Sequence, residues 1–409
     1  MGTKRYYDFS NTMKPVSDSE IRPFRIEIPQ ADLNDLRDRL ARTRWPDELP
    51  DVGWRQGVPL EYVKELVEYW QSSYEWRRHE TRLNELPQFT TTIEDTNVHF
   101  VHVRSREPGA IPLIITHGWP GSFVEFLKVI GPLTDPSAHG GERADAFHLV
   151  IPSIPGFGFS GPIREVGWNT KRIAQTWAHL MKRLGYDHYG AQGGDWGSGI
   201  SRDLALVDSE HVLGIHVNTL SAFPSGDPAE MANLTDEERK RLGRLERFRK
   251  DGRGYAEIQS TRPKTLAYGL TDSPVGQLAW IVEKFKEWTD SKERPEDAVD
   301  RDQMLTNVMV YWLTRTASSS ARIYFEERSR IYSEQAESSR PWREAESLTV
   351  PMGVAVFPYD ITPPVRRLAE RDNKSIVHWS EFDRGGHFAA MEEPDLLIGD
   401  VRLFFHRFR

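Results

Sequence analysis

The stretch GGDWGSG, residues 193–199, places an acidic side chain where a catalytic nucleophile can stand. Gly193 and Gly197 flank Asp195 symmetrically, as in the sharp strand-to-helix turn that exposes the nucleophile of many enzymes. Small residues are needed there because the strained turn brings the backbone and the following helix close together. The simpler interpretation is that Asp195 only caps a helix, which aspartate often does. The rest of the chain decides between these interpretations.

A second acidic residue and a histidine, both much later in the chain, complete the order of a nucleophile–acid–histidine triad. Asp360 ends the stretch FPYD after an apolar run, and His387 lies in the glycine-rich stretch GGHF. Both are expected at the carboxyl ends of strands, where the sites of parallel sheets form. Alone, one could be a helix cap and the other a surface histidine. The order Asp195, Asp360, His387, taken with the glycine turn, predicts a catalytic triad.

An aspartate nucleophile indicates a particular chemistry. A carboxylic acid with a pKa near ~4 is already ionised at neutral pH, so it attacks without help from a base. At a saturated carbon that carries a leaving group it forms a stable alkyl ester. His387, oriented by Asp360, would then activate the water that hydrolyses this ester. An ordinary histidine pKa near ~6.5 would leave it neutral for that task. The electrophile is an epoxide or an alkyl halide.

The stretch HGWPGS, residues 117–122, follows the apolar run IPLIIT and predicts an oxyanion site. In enzymes with a nucleophile turn of this kind, one main-chain N–H of the oxyanion site comes from the loop after this strand, and another comes from the residue after the nucleophile. These positions are Trp119 and Trp196, although an ordinary strand-to-helix turn would read the same way. Epoxide opening needs a proton donor such as tyrosine, whereas a departing halide needs N–H donors, so both reactions remain open here.

Other motifs and the composition exclude several classes of function. GFGFSG, residues 156–161, matches a dinucleotide-binding pattern, but Pro155 and Pro162 bracket it and no helical pattern opens within it. The chain has no cysteine, no HExxH pair and no phosphate-binding P-loop, so no metal or other cofactor is expected. The net charge of -8 argues against nucleic-acid binding.

The beginning of the chain, MGTKRYYDFSNTM, has basic residues but no apolar run behind them, which argues against a secretory signal. No apolar stretch approaches the ~20 residues needed to span a bilayer. We therefore expect a cytoplasmic protein without a membrane partner.

Short apolar runs alternate with helical patterns, which predicts a mostly parallel α/β sheet. The runs are residues 98–103, 111–116, 148–153, 189–193, 212–217, 353–358 and 376–382. Before them, residues 31–42 and 59–86 predict two helices, the second long and amphipathic. Between about 220 and 348 only helical patterns occur, which predicts an inserted cap. The expected organisation is an N-terminal helical segment (1–92), a core in two parts (93–219 and 349–409) and a cap (220–348).

Six stretches, spread over nearly the whole chain from about residue 20, are long and specific. They are RTRWPDELP, HGWPGSFVEF, PGFGFSG, GGDWGS, STRPKTLAYGLTDSPVGQLAWIVEKF and RGGHFAAMEEP. In these stretches the chain resembles the microsomal-type epoxide hydrolases of the α/β-hydrolase fold. The resemblance implies a mostly parallel central sheet with helices on both faces, an inserted helical cap and an N-terminal helical meander. The membrane anchor of the animal members has no counterpart, so the chain is similar to the soluble microbial members.

The resemblance also implies residue roles. The family's nucleophile falls on Asp195, its charge-relay acid on Asp360 and its base on His387. Two cap tyrosines that protonate the epoxide oxygen fall on Tyr255 and Tyr324. From the residues alone, neither could be distinguished among the 13 tyrosines of the chain. Two tyrosines favour an epoxide over a halide.

The implied activity is hydration of an epoxide to a vicinal diol through an alkyl ester on Asp195, with epoxide and water as the partners and no cofactor. A long, aromatic-rich cap suits a bulky, largely apolar epoxide of aryl, natural-product or xenobiotic type. The expected substrate contacts are Trp119, Pro120, Trp196, Phe223, Trp280 and Phe388, with Phe285, Trp288 and Trp312 also available. The family's turn commonly has a cis peptide bond, here before Pro120. A dehalogenase, a catalytically silent receptor and a homodimer remain open.

Overall fold

Nine strands form one sheet in this computed structural model, which describes residues 20–337 and 348–409. Residues 1–19 of the predicted N-terminal segment and 338–347 of the predicted cap lie outside the described residues. The strands are β1 (Arg22–Phe24), β2 (Gln88–Ile93), β3 (Thr96–Val103), β4 (Ile111–Thr116), β5 (Phe147–Pro152), β6 (Tyr189–Gly193), β7 (Val212–Val217), β8 (Met352–Val356) and β9 (Ile376–Glu381). Their order is β1-β2-β3-β5-β4-β6-β7-β8-β9.

The sheet is parallel from β5 to β9 and antiparallel at its other end. β1, β2, β3 and β5 pair antiparallel in turn, whereas β5-β4-β6-β7-β8-β9 pair parallel. Every residue of β6 and β8 is buried, because helices cover both faces of the central strands. The predicted bounds of β4, β6 and β7 match the structure residue for residue, and those of the other predicted strands agree within two residues.

The N-terminal segment corrects the sequence-based expectation in two places. It contributes β1 and β2 to the sheet, where only helical and irregular structure was expected. The single long helix predicted over 59–86 is two helices, Leu60–Ser72 and Trp76–Leu83. Tyr74 lies in the break, where its ring stacks on His79 at 4.7 Å and its hydroxyl bonds to Thr306 at 2.9 Å. These tertiary contacts outweigh the helical pattern, which two serines weaken locally.

The helices form three groups along the chain: those before β7, those between β7 and β8, and those after β8. Those before β7 are α1 (Gln30–Ala41), α2 (Leu60–Ser72), α3 (Trp76–Leu83), α4 (Leu127–Thr134), α5 (Thr170–Arg183) and α6 (Trp196–Val207). Between β7 and β8 lie α7 (Pro228–Met231), α8 (Asp236–Arg247), α9 (Gly254–Thr261), α10 (Pro263–Asp272), α11 (Pro274–Glu287), α12 (Arg301–Thr314) and α13 (Ala317–Glu337), which we call the cap helices. The last are α14 (Arg366–Asp372), α15 (Ala389–Glu392) and α16 (Pro394–Phe405). Among the described residues, no helix combines the length and apolar character that crossing a bilayer requires.

Candidate active site

The turn at Asp195 joins the end of β6 directly to the start of α6. Asp195 has φ 50° and ψ -127°, a strained conformation for a residue with a side chain. A Cβ on Gly193 would lie 2.3 Å from the backbone of Gly197, and one on Gly197 would lie 1.9 Å from the carbonyl oxygen of Thr116. Glycine is therefore required at both flanks, and the tight turn holds the Asp195 carboxylate at the carboxyl edge of the sheet.

The three residues of the predicted triad lie together. His387 Nδ1 is 2.6 Å from Asp360 Oδ1, and His387 Nε2 is 3.5 Å from Asp195 Oδ2. The Asp360 carboxylate also accepts hydrogen bonds from the Ile361 N–H (2.7 Å) and the Thr219 hydroxyl (3.2 Å). These bonds fix the acid, and the acid fixes the imidazole with Nε2 directed at Asp195. The side chains of His387 and Asp360 are only 3% and 2% exposed.

The charge state of His387 in the free protein depends on two neighbouring carboxylates. Burial alone would lower its pKa, but the charge of Asp360 and the hydrogen bond to Asp195 outweigh burial and raise the pKa to about 10. The histidine is therefore an imidazolium at neutral pH while Asp195 carries its charge. The sequence-based expectation of a neutral histidine concerned the later hydrolysis step, and it stays a prediction.

One of the two predicted oxyanion donors already contacts the nucleophile. The Trp119 N–H donates to Asp195 Oδ1 at 2.7 Å. Trp196 is the first residue of α6, so its N–H has no acceptor within the helix. The peptide bond between Trp119 and Pro120 is cis, as the family resemblance implied. The Pro120 carbonyl accepts a bond from Asn307 of α12 at 2.7 Å, which ties the turn to the cap helices.

The two predicted tyrosines come from different cap helices and meet at the site. Tyr255 on α9 and Tyr324 on α13 have ring centroids 5.8 Å apart. The Tyr255 ring stacks on Trp119 at 5.2 Å, and the Tyr324 ring meets Trp196 edge-on at 4.7 Å. Burial, followed by the charge of Asp195, raises the pKa of Tyr255, and burial raises the pKa of Tyr324 well above its usual value. Both phenols are therefore protonated. The Tyr324 hydroxyl makes no hydrogen bond with the described residues.

Two aromatic residues enclose His387. Phe388 lies edge-on to the imidazole at 5.1 Å and stacks on Phe285 at 4.3 Å. Trp288, at the end of α11, lies 5.0 Å from the imidazole and 5.1 Å from the Tyr255 ring. Its carbonyl accepts the His387 N–H at 2.8 Å. From the sequence, Trp288 was only one of several aromatic residues of the cap. The structure shows that it lies between His387 and Tyr255.

Other aromatic residues proposed from the sequence lie at the margin of the site or outside it. Trp280 is partly buried and donates its indole N–H to Gln259 at 3.0 Å. The Phe223 ring faces the guanidinium of Arg249 at 4.8 Å rather than the triad. Trp312 borders a surface groove between α1 and the cap helices, so the structure brings neither it nor Phe223 to His387.

Sequence reasoning missed a partly buried acid beside the triad. Glu125 borders a small cavity that Asp195 and His387 also line, with about 10 Å³ of room for the centre of a water molecule. That volume holds about one water. Burial, opposed by His387 and assisted by Asp195, raises the pKa of Glu125 to about 8. Its carboxyl oxygen occupies the space that a side chain on Gly121 would take, 1.3 Å from the ideal Cβ position. The feature of the sequence that could have identified Glu125 was its position within the stretch HGWPGSFVEF, close to the predicted oxyanion turn.

The sheet and the turn at Asp195 define a protein of the α/β-hydrolase fold. The family model described as "alpha/beta hydrolase fold" matches residues 111–262, and the one described as "Epoxide hydrolase N terminus" matches residues 21–126. A Stigmatella aurantiaca protein named provisionally as an epoxide hydrolase is 47% identical over 95% of this chain and 86% of its own length. Epoxide hydrolase 1 of Sus scrofa is 37% identical over 95% of this chain and 89% of its own. The chain belongs to the epoxide hydrolase family.

Solved structures of the same family agree with this fold. The juvenile hormone epoxide hydrolase from the silkworm Bombyx mori superposes with a TM-score of 0.87 at 30% identity, over 95% of both chains. The Aspergillus niger epoxide hydrolase superposes with a TM-score of 0.83 at 32% identity, over 95% of this chain and 96% of the other.

Proposed function

We propose that the protein hydrates an epoxide to a vicinal diol through an ester on Asp195. The observation that carries this proposal is the double engagement of one carboxylate. Oδ1 accepts the Trp119 N–H, while Oδ2 faces His387 Nε2. A carboxylate held in this way can attack with one oxygen while the other already lies at an N–H donor. In the first step Oδ2 attacks an epoxide carbon, the ring C–O bond breaks, and a tyrosine proton passes to the leaving oxygen.

The second step hydrolyses the ester. Esterification removes the Asp195 charge, so the pKa of His387 falls and the imidazolium gives its proton to the tyrosine phenolate that ring opening leaves behind. The neutral imidazole can then accept a proton. Water beside Nε2 then attacks the carbonyl carbon of the ester, and the oxyanion develops on Oδ1 at the Trp119 and Trp196 N–H groups. The bond from the carbonyl carbon to the diol oxygen breaks, and His387 passes the proton that it took from water to this oxygen. The second water proton passes from the new Asp195 carboxyl to His387, which restores the carboxylate and the imidazolium. The cavity bordered by Glu125 is the proposed position of this water.

The cap helices supply the tyrosines and, in this proposal, close the site against bulk water. We assign residues 220–348 to the cap, 93–219 and 349–409 to the core, and 1–92 to the N-terminal segment. The aromatic rings of Trp119, Trp288 and Phe388 surround the triad, which supports a bulky, largely apolar epoxide as the substrate. Tyr255 and Tyr324 are the proposed proton donors, and their raised pKa values keep both hydroxyls protonated for the task.

A single turnover in water enriched in ¹⁸O tests the proposal. With excess enzyme and an aryl epoxide such as styrene oxide, the first diol should contain no label, because its new oxygen comes from Asp195. The label should appear in the peptide that contains Asp195, detected by mass spectrometry after proteolysis. Label in the first diol would mean direct attack by water, and halide release from haloalkanes without diol formation would mean dehalogenation. Either result would overturn the proposal.

A further inference from the structure

A buried lysine lies beside the proposed proton donor. Lys284 belongs to α11, and its side chain is only 5% exposed. Its ammonium nitrogen lies over the Tyr255 ring, 4.6 Å from the centroid. The same nitrogen is 5.6 Å from the Trp280 ring and 5.7 Å from the Trp288 ring. These three rings form an aromatic cage around the ammonium. The spacing of four between Trp280, Lys284 and Trp288 puts all three on one face of the helix.

The Lys284 ammonium pairs with one acid and also lies over the tyrosine ring. It donates a hydrogen bond to the partly exposed Glu283 at 2.8 Å, and burial lowers the pKa of the lysine while Glu283 and Glu287 oppose the change. Other charges also act on Tyr255: Asp195 and Asp360 disfavour a phenolate, and Arg253 favours one. A lysine is rarely this deeply buried without a reason, and neither the triad nor the oxyanion donors use it.

We propose that Lys284 is a positioning residue that acts through Tyr255, stabilising the negative charge that develops on the Tyr255 oxygen during epoxide opening. This inference rests on the proposed function. When Tyr255 gives its proton to the epoxide oxygen, the ring becomes a phenolate in a buried site next to the Asp195 ester. The Lys284 ammonium, which lies over a neutral ring before the reaction, then lies beside an anion and is attracted to it. The proton that His387 gives up after ester formation then restores the phenol.

The two tyrosines therefore differ. Among the described residues, a cation lies over the ring of Tyr255 but not over that of Tyr324, which has the indole of Trp196 at its edge. Burial raises the pKa of both phenols. A nearby positive charge shifts the balance towards proton transfer only for Tyr255. The ammonium lies 4.6 Å from the centroid of the ring that takes up the charge. At distances of this order in a buried site, one charge changes the rate of such a step by roughly 10- to 100-fold.

The test separates ester formation from ester hydrolysis by rapid-quench single turnover. Lys284→Met keeps the volume and removes the charge, and Lys284→Arg keeps a charge that also stacks on aromatic rings. Lys286→Met is the matched control, because Lys286 is on the same helix but lies near Trp54 of the N-terminal segment. We expect ester formation to fall roughly 10- to 100-fold in Lys284→Met, to recover in Lys284→Arg and to be unchanged in Lys286→Met. Ester hydrolysis should change by less than about 3-fold in all three, since His387 drives it.

A double-mutant cycle identifies the route of the effect. In a Tyr255→Phe background, Lys284→Met should cause no further loss, because the phenolate that the ammonium stabilises cannot form. If Lys284→Met does not fold, as judged by its thermal melting, Lys284→Gln replaces it in the same cycle. Equal losses in both backgrounds, an unchanged rate of ester formation, or an arginine variant as slow as the methionine variant would each overturn the inference. Absence of an ester in the wild-type protein would instead overturn the proposed function.

Discussion

Replacing Asp195 with asparagine should lower the pKa of His387 from about 10 towards neutrality. The charge that is removed lies 3.5 Å from the imidazole Nε2. At that distance, with an effective dielectric constant of about 20, the interaction is worth about 5 kcal/mol, or roughly 3.5 pKa units. Asp360 remains 2.6 Å away and keeps the imidazole oriented. The variant should therefore titrate near ~6.5, and it imitates the charge of the esterified enzyme.

The measurement is an NMR titration of ¹⁵N-labelled histidine side chains between pH 5 and ~11, with His387→Gln to assign the resonance. Asp208→Asn is the control, since it removes a carboxylate from the surface pair with His211, away from the triad. The control should leave the His387 titration where it is in the wild-type protein.

Two results would refute this reasoning. A wild-type His387 that titrates near ~6.5, as an unperturbed histidine does, would mean that the two carboxylates do not hold it charged. An equal pKa in wild-type protein and Asp195→Asn would mean that the nucleophile does not control the base. Either way, the switch of His387 from imidazolium to base on ester formation would need another cause.

Three further predictions concern the same site. His387→Gln should accumulate a protein adduct heavier by the mass of the epoxide, visible in intact-mass spectra, and an adduct that also forms in Asp195→Asn would place the ester elsewhere. Gly193→Ala should lower the free energy of unfolding by about 2 kcal/mol or more, because the new Cβ meets backbone at 2.3 Å; Gly243→Ala, in an open helical position, should raise it by ~0.5–1 kcal/mol in denaturant titrations. Glu125→Gln should stabilise the protein more at pH 8 than at pH 5. Native Glu125 keeps its proton up to a pKa of about 8, whereas the unfolded chain releases it near ~4.3, so the stability of the wild-type protein falls between these pH values. A gain in stability that does not depend on pH would contradict this prediction.

The sheet was predictable where strands are buried on both faces. β4, β6 and β7 read as short apolar runs because helices cover them, so their bounds follow from the sequence. β2, with the sequence QFTTTI, was missed because its threonines lack an apolar run, although β-branched residues favour strands. Its place in the sheet depends on antiparallel pairing with β3, a contact that no local pattern records.

Some residues of the candidate site could also be predicted from local sequence patterns, and others could not. Asp195, Asp360 and His387 could be predicted because each follows a strand in a recognisable turn, and the sheet brings strand ends together. Tyr255 and Tyr324 came only from the family resemblance, since their positions depend on how α9 and α13 pack. Sequence separation hid the other participants, such as Glu125, which lies 262 residues before His387 in the chain but borders the same cavity.

The order of the two proposed half-reactions follows from how charge is distributed at the triad. In the free protein one imidazolium lies between two carboxylates, so the base is blocked while the nucleophile is free to attack. Ester formation neutralises Asp195 and thereby releases the base at the moment when water is needed. A third ionised carboxylate would weaken this control by holding His387 charged. Burial limits that effect by keeping Glu125, which borders the water cavity, and Glu392, which also lies near His387, protonated up to a pKa of about 8.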